Sequence, residues 1–505
     1  MPAELTELSP LSETAWDDRA ARSDAGWLRG TVLALALAWS LAFIAVGVGY
    51  GLEMYADGSI FSYSVAVRAG WAFHFADISD RLFVYLYAHL PAETYVGLTG
   101  DAHGGIALYG LMFFVAPLVG LAATYAADRS CGRVIFVCAC LSTAVLCPMV
   151  FGFPTEMWLA HALFWPALAL CHYAPRGIAG TAAVLAALLA LALTHEGALV
   201  FAVAILATVW LRGWRDPAFA RAAGALAVAV AVWAGVKIAL PPDPYYASII
   251  PAAAYNFIDV ADLFAMPFFR VLLATLAGYG IVLLALRPLA PARASLGAAA
   301  LVALALAAYW LWFDRSLHTQ DRYYVRTAIL VATPVIGALA ALCVVCAEDR
   351  LRLPWRPLTR LATILADQAL ALTRGAPARA VAGALALLTL VYVVETVKFV
   401  DAWTGYTAAL RALAMGSASD PALGDARLVS SDRIGPDLNR MSWSTTTHFL
   451  SVLIAPGYAP NRLVVDPSAG YFWLTCRLAT ASENANLPIP TASRTLIRVH
   501  ACLHR

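Results

Sequence analysis

Residues 30–58 read GTVLALALAWSLAFIAVGVGYGLEMYADG. The first part, 30–52, carries no charge, and Glu53 and Asp57 follow at once. About 20 apolar residues in helix cross a hydrocarbon core of about 30 Å. The stretch therefore reads as a transmembrane helix that delivers two carboxylates to the far side. Because 29 mostly polar residues precede it and no clear small-residue cleavage site follows, it reads as an uncleaved anchor and not a signal peptide.

The same pattern recurs along the chain. Further apolar runs lie at 104–127, 132–151, 157–174, 177–194, 197–211, 222–240, 268–286, 294–312, 327–347 and 379–400. The fifth and sixth spans are short, so tilted, kinked or re-entrant paths are open to them. Pro166 and Pro334 fall inside spans, where a missing amide favours a kink. Composition agrees: 61% of the 505 residues are hydrophobic and 13% charged, against about 25% charged in soluble domains. Mean hydropathy is +0.72. A soluble enzyme with one compact core, a disordered chain and a coiled coil are excluded. A net charge of +2 leaves no nucleic-acid footprint.

Basic residues orient the bundle. With the N-terminus inside, the cytoplasmic segments hold most arginines, among them Arg129, Arg133, Arg176, Arg212, Arg215, Arg221, Arg287, Arg293, Arg350, Arg352, Arg356 and Arg360. The outer loops hold Arg68, Arg81, Arg315, Arg322 and Arg326, with Arg270 at a margin. The expected fold is an all-α polytopic membrane bundle of about eleven helices, N-in and C-out. It comprises a cytoplasmic tail 1–29, a membrane domain 30–400 with a long first outer loop 53–103, and a small soluble α/β domain 401–505 outside. That last domain is polar, with short β-like runs at 427–430, 463–465, 471–475 and 495–500.

Two segments outside the spans show helical apolar spacing. In the first outer loop Trp71, Phe75, Ile78, Leu82, Leu86 and Leu90 step by three or four, which predicts an amphipathic helix along the outer membrane surface. An ordinary packed loop helix is the competing reading. At 357–374, Leu358, Leu361, Leu365 and Leu372 repeat between arginines and predict a helix at the inner interface. Seven cysteines lie in or at the ends of spans, including the Cys343–Cys346 pair, and read as buried small residues. Cys476 and Cys502 in the tail are candidates for one disulfide in an oxidising compartment.

Ionisable residues at span ends are functional candidates by default. The topology collects them on one face: Glu53 and Asp57 after span one, Glu156 between spans three and four, and His195 and Glu196 between spans five and six. Asp314, Arg315, His318, Asp321, Arg322 and Tyr323 lie between spans nine and ten. A solvated turn is the competing reading of Glu156, a helix-end backbone partner that of His195 and Glu196, and a simple Asp-Gly turn that of Asp57. In a helical turn His318 and Arg322 would share one face, where a guanidinium can grip a phosphate. Tyr245, Tyr246, Tyr323 and Tyr324 suit sugar stacking or interface anchoring. Lys237 and Lys398, near outer span ends, are expected to snorkel. No metal-ligand set stands out, and a divalent-metal requirement is left open.

An acid soon after span one, a long first outer loop with amphipathic helix and a C-terminal outer domain together resemble the glycosyltransferase C-fold superfamily. The segment His318-Thr-Gln-Asp321-Arg322-Tyr323 is similar in part to the His-Lys-Glu-x-Arg-Phe motif of GPI-type mannosyltransferases, with Thr319 and Gln320 at the Lys and Glu positions. The resemblance implies a multi-span enzyme that moves a sugar from a polyprenyl-phosphate donor to a glycan, lipid or protein acceptor at the outer face, and the Ala/Arg-rich, Lys-poor composition points to the inner membrane of a GC-rich bacterium. It implies Asp57 as general base, and Arg322, His318 and Arg315 as partners of the leaving phosphate. Glu53, Glu156, His195, Glu196, Asp321 and Tyr323 would position substrate. Two other classes fit a polytopic chain. A transporter or lipid flippase predicts mid-membrane charges and inverted repeats, and a non-catalytic scaffold with an outer binding domain predicts that the outer-face residues are replaceable.

Overall fold

In the computed structural model the described residues are 13–71, 81–239, 260–314, 325–416, 428–439, 441, 443 and 446–466. In chain order the helices are α1 (Glu13–Gly49), α2 (Gly58–Ala66) and α3, which consists of Leu82–Val84, a π turn Tyr85–His89 and Leu90–Thr99. They continue as α4 (Ala102–Ala127), α5 (Val134–Leu146), α6 (Glu156–Tyr173), α7 (Ile178–Ala192), α8 (Ala198–Trp210) and α9 (Pro217–Ala239). Then come α10 (Val260–Ala265), α11 (Pro267–Ala285), α12 (Pro291–Trp312), α13 (Val325–Ala347), α14 (Arg356–Ala371) and α15 (Gly375–Met415). The last described part holds β1 (Leu428–Ser430), α16 (Pro436–Asn439), α17 (Thr447–Leu453) and β2 (Leu463–Val465).

Each apolar run of the sequence forms a helix, as it must where lipid offers backbone groups no partner. By length and composition, eight helices among the described residues can cross a membrane: Gly26–Gly49, Ala102–Ala127, Cys131–Val150, Pro217–Ala239, Pro267–Ala285, Pro291–Trp312, Arg326–Ala347 and Gly375–Met415. Helices α7 and α8 are apolar but shorter, and α6 is interrupted by Glu156, His161 and His172. The chain is thus a multi-pass helical membrane protein. Helices continue through Pro117, Pro166 and Pro334.

Small residues set the closest crossing. A Cβ on Gly120 of α4 would stand 2.5 Å from the Ala162 carbonyl oxygen of α6, so glycine is what lets these two backbones meet. Rings fill the space around it. Phe43 meets Phe114, Phe151 and Trp158 edge-on at 5.0, 5.2 and 5.5 Å, contacts worth about 0.5–1.5 kcal/mol each beyond burial. Tyr392 of α15 donates to the Val145 carbonyl at 2.8 Å and ties the last long helix to α5.

Three details differ from the sequence expectation. Helix α15 runs unbroken to Met415, so no boundary falls at 400/401. The described part of the tail shares a core with the segment after α1: Phe449, Val452, Leu463 and Val465 pack with Phe61, Tyr63 and Val65. β1 and β2 form a two-stranded parallel sheet with Val429 opposite Val464. In α3 it is Val84, Ala88, Ala92 and Val96 that are buried, while Leu86, Leu90 and Leu98 stand outward. The leucine row is therefore the outward, apolar face and small residues pack against α4. Cys476 and Cys502 and the runs 471–475 and 495–500 lie outside the described residues, and the seven described cysteines are free.

Candidate functional site

After α1, Gly51 turns left-handed (φ 64°) and a single 3-10 turn, Leu52–Met54, presents Glu53. Ala56 then holds φ at 53°, a left-handed conformation that L-residues adopt only at some cost. The next residue is Asp57. It precedes α2 yet its carboxylate does not cap that helix, and it is half-buried. The chain here is tight: a Cβ on Gly58 would meet the Glu53 carbonyl oxygen at 2.0 Å, and one on Gly110 of α4 would meet the Glu53 Cβ at 2.6 Å.

Arg81 joins three segments. Its Nη1 donates to Glu156 Oε1 at 2.6 Å, and its Nη2 lies 3.6 Å from Glu196 Oε2. Glu156 is the first residue of α6, whose cap is Thr155. His195 and Glu196 occupy the α7–α8 turn. A backbone bond from Phe83 N to Leu193 O (3.0 Å) fastens the start of α3 to that turn, which explains why Arg81 reaches both acids. Lys237, near the end of α9, adds a second cation 3.6 Å from Glu196 Oε1. Arg326, at the start of α13, feels the charges of Arg81, Asp57, Glu156 and Glu196. The sequence-predicted Asp57, Glu156, His195 and Glu196 are thus gathered at one end of the bundle. Arg81, Lys237 and Arg326 join them there.

Two of these groups are set neutral by their surroundings. Burial pushes the Glu53 carboxyl from its ordinary 4.5 up to about 8, against a smaller downward pull from a backbone hydrogen bond. Its Oε2 is buried and, among the described residues, has no hydrogen-bond partner. Burial, reinforced by Arg81, pulls His195 down to about 3. Its Nδ1 accepts from Gly197 N at 2.9 Å, so the 3.6 Å approach to Glu196 Oε2 is not an ion pair. Beside them the Tyr109 hydroxyl, wholly buried and without a hydrogen-bond partner among the described residues, lies in the field of Glu156 and Asp57. Its ring packs 4.9 Å from His89, at the end of the π turn.

Nearby, Lys398 Nζ donates to Asp314 Oδ2 at 2.6 Å and to Glu395 Oε1 at 3.2 Å. Lys237 and Lys398 are only 16% exposed, so both engage in ion pairs where snorkelling was expected. Arg315, His318, Asp321, Arg322 and Tyr323 lie outside the described residues, as do Tyr245, Tyr246 and Tyr324. His161, one turn into α6, serves packing: its Nε2 meets Ser142 Oγ at 2.9 Å and its ring stacks on Trp158.

Arg81, Lys237 and Arg326 escaped notice because a lone basic residue near a span end reads as a topology marker. The signal that could have found them is balance, since clustered acids at a membrane edge require nearby cations. Chemically, the site combines partly exposed carboxylates, Asp57 and Glu196, with guanidinium and ammonium groups, a set suited to accepting a proton while stabilising a polyanion. The chain matches no protein-family model, no curated protein and no solved structure.

Proposed function

We propose that this chain is an integral membrane glycosyltransferase. It would move a sugar from a polyprenyl-phosphate donor to a glycan, lipid or protein acceptor at the outer face of a bacterial inner membrane. The observation that carries the reading is the meeting of Asp57, Glu156 and Glu196 with Arg81 and Arg326 at one end of a multi-pass bundle. In the reaction Asp57 takes the proton of the acceptor hydroxyl as that oxygen bonds to the sugar carbon. The bond from that carbon to the phosphate oxygen breaks, and its electron pair leaves with the phosphate. Arg326 and Arg81 stabilise the added charge, with Arg322, His318 and Arg315 in the phosphate-binding role the resemblance implies. The same resemblance implies inversion at the sugar carbon. Glu156 and Glu196 hold Arg81 in place, and the neutral Glu53 and Tyr109 offer hydrogen bonds to hydroxyl groups.

The test offers synthetic polyprenyl-phosphate hexoses and pentoses to the purified full-length protein in lipid. Release of polyprenyl phosphate is followed by mass spectrometry. The expected result is release by the wild type and a loss of about 10²–10⁴-fold in Asp57→Asn at unchanged expression. Wild-type turnover in that variant removes Asp57 from the reaction. Lipid or solute flux in proteoliposomes without sugar transfer favours a transporter instead.

A further inference from the structure

At the opposite end of the bundle, two sequence-distant basic segments are fastened together. Arg352 N donates to the Leu211 carbonyl at 2.9 Å. Gly213, at φ 94°, lets the α8–α9 turn approach closely: a Cβ there would lie 3.2 Å from Arg352 Cβ. The contact seats the turn that carries Arg215 against the segment that carries Arg350, Arg352 and Arg356, and all four are exposed. Two exposed tryptophans flank them, Trp214 at 62% and Trp355 at 66%, and Arg215 lies 4.6 Å over the Trp214 ring.

Beneath the exposed arginines is a buried one. The Arg212 side chain is 3% exposed and donates through Nη1 to the His172 carbonyl at 3.0 Å. Among the described residues its Nε and Nη2 make no hydrogen bond, and Nη2 pairs with Glu348 Oε2 at 3.5 Å. The acids facing this cluster are few. Glu348 accepts from Tyr173 at 2.5 Å and pairs with Arg350 at 3.5 Å; Asp216 caps its own helix through Ala218 N; Asp349 is exposed. Helix α14 starts here. It packs by Ala362 and Ala366 against Leu342 and Cys343 of α13, while Leu361, Leu365 and Leu372 remain exposed. Its polar side holds Arg360 and Asp367. Both ends of α14 connect to membrane-crossing helices, α13 and α15.

We propose that this clamp, residues 211–216 against 350–356, binds the phosphate headgroup of an anionic glycerophospholipid, with the acyl chains along the exposed leucines of α14. Guanidinium groups pair with phosphate oxygens, tryptophans prefer the headgroup level, and an apolar stripe beside them covers lipid tails. A soluble phosphate would use the arginines but has no need of the tryptophans or leucines. The site is independent of the sugar-transfer reading, since it lies at the other end of the helices.

The test uses delipidated full-length protein titrated with phosphatidylglycerol, phosphatidylcholine or glycerol phosphate and read by native mass spectrometry. The wild type should prefer phosphatidylglycerol over phosphatidylcholine. Each headgroup arginine contributes about fivefold, so the triple variant Arg215→Gln, Arg352→Gln, Arg356→Gln should lose about a hundredfold. Arg287→Gln with Arg293→Gln, exposed arginines on another turn of the same face, should keep the preference. Raising salt should weaken it in the wild type, a readout that needs no variant. Equal binding of both lipids by the wild type, an unchanged preference in the triple variant, or displacement by glycerol phosphate at lipid-like concentration each overturns the proposal.

Discussion

Arg81 Nη1 stands 2.6 Å from Glu156 Oε1, with the two side chains only 12% and 8% exposed. One ion pair therefore locks the α1–α4 connection onto the start of α6, 75 residues away. Removing one member of a buried pair strands the other charge and costs about 3–5 kcal/mol. Arg81→Gln should lower the unfolding midpoint in detergent markedly. Arg81→Gln with Glu156→Gln should recover part of the loss, because both charges are gone. Two independent, additive losses in a double-mutant cycle would show that the pair is not coupled.

Glu53 makes stability depend on pH in a defined direction. Its carboxyl titrates at about 8 when folded and at an ordinary 4.5 when unfolded. Between those values the folded state binds more protons, so stability contributed by the neutral form is lost as pH rises from about 4.5 to about 8. Glu53→Gln keeps the shape without the titration. The variant should gain stability relative to wild type as pH rises through that window, measured by thermal unfolding across pH 5–9. Parallel curves for the two proteins would place the Glu53 charge in water.

His195 pulls the other way. It titrates at about 3 when folded and at 6.5 when unfolded, so its contribution is present above about 6.5 and lost as pH falls toward 3. His195→Asn retains an acceptor for Gly197 N and should remove much of the acid sensitivity while costing little at pH 7. His195→Ala should cost about 1–3 kcal/mol at pH 7 by leaving that buried amide without its partner. A protonated His195 signal near pH 6 in nuclear magnetic resonance spectra would contradict the assignment.

Gly120 should tolerate no side chain. Its missing Cβ would sit 2.5 Å from backbone on α6, and backbone cannot swing aside as a side chain can. Gly120→Ala should destabilise by about 1–3 kcal/mol, whereas Gly224→Ala, with open space around it, should be neutral or stabilising. Equal midpoints for the two variants would mean that α4 and α6 do not cross there.

The residues themselves determined the architecture. Charge-free runs such as 30–52 leave the backbone no option but helix in lipid, and their ends place Asp57, Glu156, His195 and Glu196 on one face with no need of coordinates. Three things only tertiary structure decided. In α3, Leu82, Leu86 and Leu90 form an apolar row as regular as Val84, Ala88, Ala92 and Val96. Lipid is as apolar as protein, so periodicity cannot tell which row packs, and the smaller side chains won because they let helices approach. Arg81, Lys237 and Arg326 become site residues only through ion pairs and fields that cross between distant segments. The neutrality of Glu53 and His195 follows from the depth at which the turns hold them, since desolvation depends on neighbours in space and not on neighbours in the chain.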